Sequence, residues 1–212
     1  LGIGCFGPID LNRKSETYGY ITTTPKLAWK NYNIVGAFAD ALDIPVGFDT
    51  DVNGSALGEA TWGITKGLDN SIYITIGTGV GMGIISNGKL LHGMLHPEGG
   101  HVLLTRHPKD TYGGKCPYHS NCLEGLAAGP AIEARWGKKG IELADIKEVW
   151  ELEAYYIGQA LVDCIMLLSP QRIVLGGGVM HQEHMMLLVR EEVKKQLNGY
   201  LVTKELEELD SY

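Results

Sequence analysis

SIYITIGTGVGMGIISNGKLL, residues 71–91, is the clearest β signal in the chain. Two strands rich in Ile, Tyr and Thr flank Gly77, Thr78 and Gly79. The second strand runs out at Asn87-Gly88, a preferred two-residue hairpin turn. The glycines at 77, 79, 81 and 83 do not spell a dinucleotide fingerprint, which opens a helix with G-x-G-x-x-G; here they alternate into a strand. Alternate glycines on one face let a ligand or another backbone come close. The turn amides of Gly77–Gly79, with the Thr78 hydroxyl, would cradle a phosphate. A plain tight hairpin accounts for the same residues equally well.

Buried strands and helices alternate on both sides of this stretch. Residues 1–9, LGIGCFGPI, read as a short buried strand running into a Gly-Pro loop. Residues 10–31 are polar and irregular, with Pro25 and Trp29. From Asn33 the spacing of Ile34, Val35, Phe38, Ala39 and Leu42 predicts a helix, and Val46–Phe48 a brief strand. In DTDVNGSALGEATWG, residues 49–63, Asp49, Thr50 and Asp51 stand at a strand end before a helical run. A carboxylate there would cap the helix. One cap suffices, so the second Asp is open to a functional role.

Further on, Gly129-Pro130 starts a helix through Trp136. Residues 148–168 predict the strongest helix, with Val149, Leu152, Tyr156, Ala160, Cys164 and Leu167 on one side. Its apolar stripe broadens toward the end, which predicts deep burial there, and Pro170 stops it. RIVLGGGVM, residues 172–180, predicts a buried strand feeding three glycines and then a helix around 183–197. Strand, glycine turn and helix form a nucleotide-binding arrangement, because the helix N-terminus favours phosphate or ribose. The tail, residues 198–212, is polar and acidic. Such alternation gives the α/β class.

PEGGHVLLTRHPKDTYGGKCPYHSNCLE, residues 97–124, concentrates the chemistry. Cys116, His119 and Cys122 follow C-x2-H-x2-C, His101 lies 15 positions before Cys116, and His107 is a fifth candidate. Zinc takes four N or S ligands in a tetrahedron, and a tight Cys/His group plus one distant ligand is a usual structural site. A loop of this length needs a staple or a function. Free thiols and surface histidines would be the plain alternative, but three ligands at turn spacing in a Gly-rich loop favour the metal. Glu98 and Glu124 flank these ligands, so a metal that orders the loop would also order two carboxylates able to accept hydrogen bonds from a polyhydroxy ligand.

Composition sets the frame. The chain has 212 residues, with net charge -7, which argues against a nucleic-acid partner. Two of its four cysteines, Cys5 and Cys164, lie in apolar contexts and read as buried thiols of a reducing cytoplasm. There is no signal peptide and no apolar run near 18 residues. The opening Leu-Gly-Ile-Gly lacks a methionine and reads as the middle of a fold, so a segment before Leu1 is expected.

Taken in order, GCFGPID, DTDVNGSALGE, IGTGVGMGI, HPEGGH, the Cys/His loop closing in CLEG, and LGGGV resemble the ROK (repressor, open reading frame, kinase) family over nearly all of residues 1–180. The C-x2-H-x2-C loop followed by LEGLAAGPAIEARWG resembles its zinc-containing bacterial fructokinase branch. The resemblance implies an actin/hexokinase-like (ribonuclease H-like) two-lobed fold. Residues 1–50 would complete the N-terminal lobe and hinge approach. Residues 51–212 would form the C-terminal lobe, which carries the phosphate loop, zinc loop and nucleotide-binding strand. The family's Asp-x-Gly-Gly-Thr loop would precede Leu1, and its closing segment would follow Tyr212.

Roles follow from the same resemblance. Asp51 matches the catalytic base. Gly7, Asn53, Glu98, His101 and Glu124 match the sugar side. Gly77, Thr78, Gly79, Gly129, Gly176, Gly177 and Gly178 match the nucleotide side. His101, Cys116, His119 and Cys122 match a structural Zn²⁺ site, leaving His107 outside it. The implied reaction is transfer of the γ-phosphoryl group of ATP, with Mg²⁺, to the 6-hydroxyl of D-fructose. A cytoplasmic homodimer without membrane or nucleic-acid partners is implied as well. Thr50 stands where relatives often carry Asn. The rivals are a glucokinase, mannokinase or allose kinase, a sugar-sensing repressor of the same family, and a zinc-stapled sugar-binding module without catalysis.

Overall fold

In a computed structural model describing residues 1–24 and 26–208, the chain forms two units. One comprises residues 1–74, 81–98 and 171–174; the other comprises 75–80, 99–170 and 175–212. Pro25 and residues 209–212 of the acidic tail lie outside the described residues. No described helix is long and apolar enough to cross a membrane.

In the first unit, strand β1 (Gly2–Cys5) pairs in parallel with β4 (Gly47–Thr50), Cys5 opposite Thr50. The segment between them is less irregular than its polarity suggested. β2 (Tyr20–Ile21) pairs antiparallel with β3 (Tyr32–Asn33), and Cys5, Ile9, Ile21 and Ile34 close a small core. Helix α1 (Ile34–Leu42) starts where the spacing predicts, and Asn33 Oδ1 caps it by accepting the Gly36 N–H at 2.8 Å.

Helix α2 (Asp51–Trp62) is capped by Thr50, whose Oγ1 accepts the Asn53 N–H at 3.1 Å. The cap is therefore neither aspartate. Leu57 and Trp62 are exposed, and Val52, Asn53 and Ala56 are buried.

A four-stranded sheet has the order β7-β6-β5-β8, with β5 (Ser71–Ile76), β6 (Val80–Ser86), β7 (Lys89–Leu90) and β8 (Arg172–Gly176). The β6–β7 turn is the expected one: Asn87 and Gly88 both take positive φ, at 50° and 72°. The glycines of β6 serve a backbone, not a ligand. A Cβ at Gly83 would lie 2.2 Å from the Val52 carbonyl oxygen, and one at Gly81 2.6 Å from Val52 Cγ1. Each strand glycine costs roughly 0.5–1 kcal/mol. Burial of Met82, Ile84 and Ile85 between and beyond them gives back roughly 1.5–3 kcal/mol each, so the strand holds.

Strand β8 was expected to be buried and is half-buried along its length, because among the described residues it lies at the end of the sheet with a strand on one side only. Its glycines do not run straight into a helix. A 3-10 turn over Gly178–His181 intervenes, and helix α6 (Met185–Leu197) begins afterwards.

The second unit is helical. It contains α3 (Leu123–Ala127), α4 (Gly129–Trp136), α5 (Lys147–Leu168), α6 and the short α7 (Lys204–Glu207). Trp150, Tyr156 and Ile157 of α5 are fully buried, as are Leu123 of α3, Ile132 of α4 and Met185 of α6. The far end of α5 departs from expectation. Its buried face stops at Cys164, and Met166, Leu167 and Leu168 are exposed, Leu167 at 82%. No described element packs over that end, so the broad stripe there is surface.

Candidate functional site

In the first unit the aspartates around the α2 start divide their work. Asp49 Oδ1 accepts the Thr50 N–H at 2.8 Å and the Asn53 amide at 2.7 Å. Its Oδ2 lies 2.9 Å from His92 Nε2. Asp49 is thus committed to holding the strand-to-helix junction. Asp51 occupies the first helical position, is exposed, and its Oδ1 accepts its neighbour's Val52 N–H at 2.9 Å. A carboxylate in a first helical turn is stabilised by the helix dipole. Asn53 is 1% exposed, and its Oδ1 has no hydrogen-bond partner among the described residues.

Gly7 and Glu98 meet in the same unit. A Cβ at Gly7 would lie 2.6 Å from Glu98 Oε1 and 2.9 Å from His96 Cε1, so glycine is what lets the loop sit on those side chains. Glu98 itself is exposed.

In the second unit four donors converge. His101 Nδ1, Cys116 Sγ, His119 Nδ1 and Cys122 Sγ lie within 4.8 Å of one another. The Sγ–Nδ1 separations are 3.8 Å for Cys116–His101, 3.7 Å for Cys116–His119 and 3.6 Å for Cys122–His101. A tetrahedral zinc with ordinary bond lengths sets such separations at about 3.6 Å. The donor set and spacing therefore fit a four-coordinate metal. His107 stands outside this group: its backbone N–H donates to the Tyr156 hydroxyl at 3.1 Å and its ring stacks edge-on against Tyr155.

Cys122 is fully buried, and burial pushes its thiol up to about 11 against the Gly125 N–H that its Sγ accepts at 3.3 Å. A bound metal would deprotonate it outright.

Residues outside the four donors shape the loop. Arg106 donates to the carbonyls of Tyr112, Gly113 and Ser120, drawing both arms of the loop together. Glu124 sits in the first turn of α3, where its Oε2 accepts the Val80 N–H at 3.0 Å and its Oε1 lies 4.0 Å from His101 Nε2. With His101 Nδ1 on a metal, that carboxylate stands at the opposite ring nitrogen, the arrangement that orients a ligating histidine.

The turn at 77–79 is tightly tied. Gly77 N–H donates to Gly79 O at 2.9 Å, and Gly77 O accepts the Gly129 N–H at 2.8 Å. The amide of Gly77 is therefore turned inward, while Thr78 is exposed. Gly177 has φ 91°, and a Cβ there would lie 2.4 Å from Ile76 O, so this glycine is required by close approach and conformation together. Gly178 is exposed beside it. A separate cavity of ≈ 620 Å³ is lined by Glu148, Glu151, Glu191 and Glu192 together with Lys109 and Lys195. Its carboxylates make it a poor seat for phosphate.

A buried ionic cluster stands behind the loop. Arg135 pairs with Asp110 and Glu153, each at 3.2 Å, and Tyr156 donates to Asp110 at 2.6 Å. Burial raises Asp110, but Tyr156, the Tyr112 N–H and Arg135 outweigh it and hold the carboxyl below the usual range. Glu153 is fully buried with Oε2 unpartnered among the described residues; burial drives its pKa well up despite Arg135.

His92, His96, Arg106, Arg135 and Glu153 escape a reading of the sequence.

The ROK family pattern matches residues 1–210. The chain is 50% identical to the fructokinase of Streptococcus mutans serotype c over 204 residues and 48% identical to that of Lactococcus lactis subsp. cremoris over 203, in each case across 95% of this chain. It spans 69% of the length of both. Among solved structures, the ROK family glucokinase of Streptomyces griseus in complex with glucose and AMPPNP superposes with a TM-score of 0.75 at 25% identity. That match covers 93% of this chain and 72% of the other. The glycine turns, the capped start of α2 and the Cys/His loop thus stand in a chain that belongs to the ROK family.

Proposed function

We propose that the chain acts as an ATP-dependent fructokinase, which transfers the γ-phosphoryl group of ATP to the 6-hydroxyl of D-fructose. The observation that carries the reading is the division at 49–51: Thr50 caps α2 and Asp49 is committed to the junction, so the Asp51 carboxylate remains exposed. Asp51 accepts the hydroxyl proton as the sugar oxygen attacks. A base so placed contributes ~10²–10⁴ in rate. The high identity to two fructokinases supports fructose over other hexoses.

Gly7, Asn53 and Glu98 serve the sugar, as do His101 and Glu124. Thr78 and Gly79 present the turn to the phosphates, with Gly129 and Gly176–Gly178 on the nucleotide side. Mg²⁺ on the nucleotide would offset charge during transfer, since positioning and electrostatics supply most of such catalysis. His101, Cys116, His119 and Cys122 hold a structural Zn²⁺, whose four positions are filled by protein. The enzyme works as a cytoplasmic homodimer without membrane or nucleic-acid partners.

ADP release by the full chain, measured with ATP, Mg²⁺ and a panel of hexoses beside Asp51→Asn, tests the reading. Fructose should be turned over fastest, and the variant should lose activity by ~10²-fold or more while still binding the sugar. No turnover with any hexose would overturn it.

A further inference from the structure

His96 has no part in the roles above, yet it is almost wholly enclosed, its side chain 2% exposed. The backbone N–H of Ile9 donates to its Nε2 at 3.1 Å. Nε2 must therefore present a lone pair, and a neutral ring then carries its proton on Nδ1. That N–H faces two acceptors, the Pro97 carbonyl at 3.3 Å and Glu98 Oε1 at 3.5 Å. On the ring's edge, Cε1 lies 2.9 Å from where a Cβ of Gly7 would stand. One imidazole thus ties the Gly7–Ile9 loop, anchored in the core through Ile9, to the backbone and carboxylate that follow it.

We propose that His96 is a positioning residue: held as the Nδ1–H tautomer, it sets the distance between the Gly7 loop and Glu98, and through them the affinity for the sugar. The proposal rests on the fructokinase reading for the identity of the sugar. A leucine at 96 would fill similar space but supply neither acceptor nor donor. A glutamine keeps an oxygen that reaches the Ile9 N–H.

The test compares His96→Leu and His96→Gln with the unmodified full chain. In His96→Leu the KM for D-fructose should rise about tenfold or more, the scale expected when a binding group is displaced by a fraction of an ångström. The KM for ATP and the zinc content should hold, and the melting temperature should fall only by a few degrees, since the buried Ile9 N–H loses its acceptor. His96→Gln should restore most of the fructose KM. Parallel loss of fructose and ATP affinity, or an unchanged fructose KM in His96→Leu, would overturn the proposal. Nitrogen-15 NMR of labelled histidine reads the tautomer without reference to activity: a proton on Nε2 of His96 also overturns it. If the unmodified chain fails to phosphorylate fructose, the kinase reading falls by that result alone. Calorimetry with D-fructose then decides His96, with weaker binding in His96→Leu supporting it and equal or absent binding in both chains refuting it.

Discussion

Glu124 Oε2 accepts the backbone N–H of Val80 at 3.0 Å, so one carboxylate fastens the first turn of α3 to the first residue of β6. Its other oxygen stands 4.0 Å from His101 Nε2. Glu124→Gln keeps an acceptor for Val80 but removes the charge facing His101. Zinc affinity should fall about 10–100-fold, as for other partners of ligating histidines. Competition against a chelator measures it, and unchanged affinity would detach Glu124 from the metal.

Cys116→Ser should strip zinc and lower the melting temperature of the loaded protein, since structural zinc binding is coupled to folding. Elemental analysis with thermal melts reads both. Arg106 draws together the carbonyls of Tyr112, Gly113 and Ser120 without metal, so part of the loop should keep its fold. A chelator added to the unmodified chain should reproduce the effect of the substitution. Full zinc in the variant would overturn the ligand set.

Gly83→Ala places a methyl 2.2 Å from Val52 O, against backbone that cannot swing away. Helix α2 must shift, and Asp51 sits at its start. Overpacking of this kind costs roughly 1–3 kcal/mol. Denaturant melts should show that loss, and turnover should fall further than sugar affinity. A fully stable, fully active variant would show that the α2–β6 approach is not needed.

The Arg135 cluster makes stability depend on pH in two directions. Asp110 is held below its ordinary value, so its contribution is full above about pH 4 and is lost as pH falls through the lowered pKa. Glu153 is raised, so its contribution is full below about pH 4 and is lost as pH rises through the raised pKa. Asp110→Asn should flatten the acid limb of a melting-temperature profile, and Glu153→Gln should remove the decline on the other side. Arg135→Met leaves two carboxylates without their cation and should cost about 3–5 kcal/mol. Profiles that keep both limbs in the two variants would place the titrating groups elsewhere.

Local chemistry was enough for much of this protein. The alternation that gives the α/β class, the helix beginning after Asn33, the Asn87-Gly88 turn and the Gly129-Pro130 helix start each depend on a few neighbouring residues. The Cys/His set was legible because metal ligands need particular atoms at turn spacing, whereas the exclusion of His107 came only with the family resemblance. Tertiary structure decided what depends on distant partners. Gly81 and Gly83 admit helix α2 and not a ligand, because Val52 arrives from about 30 positions away. Thr50 takes the cap because Asp49 is drawn off by His92 and Asn53. The broad apolar end of α5 is exposed and β8 is half-buried, since hydrophobicity records what a residue favours and not which neighbour is present. His96, Arg106 and Arg135 were invisible for the same reason: a single polar side chain carries no period or spacing, and only the fold shows which backbone groups and charges it faces.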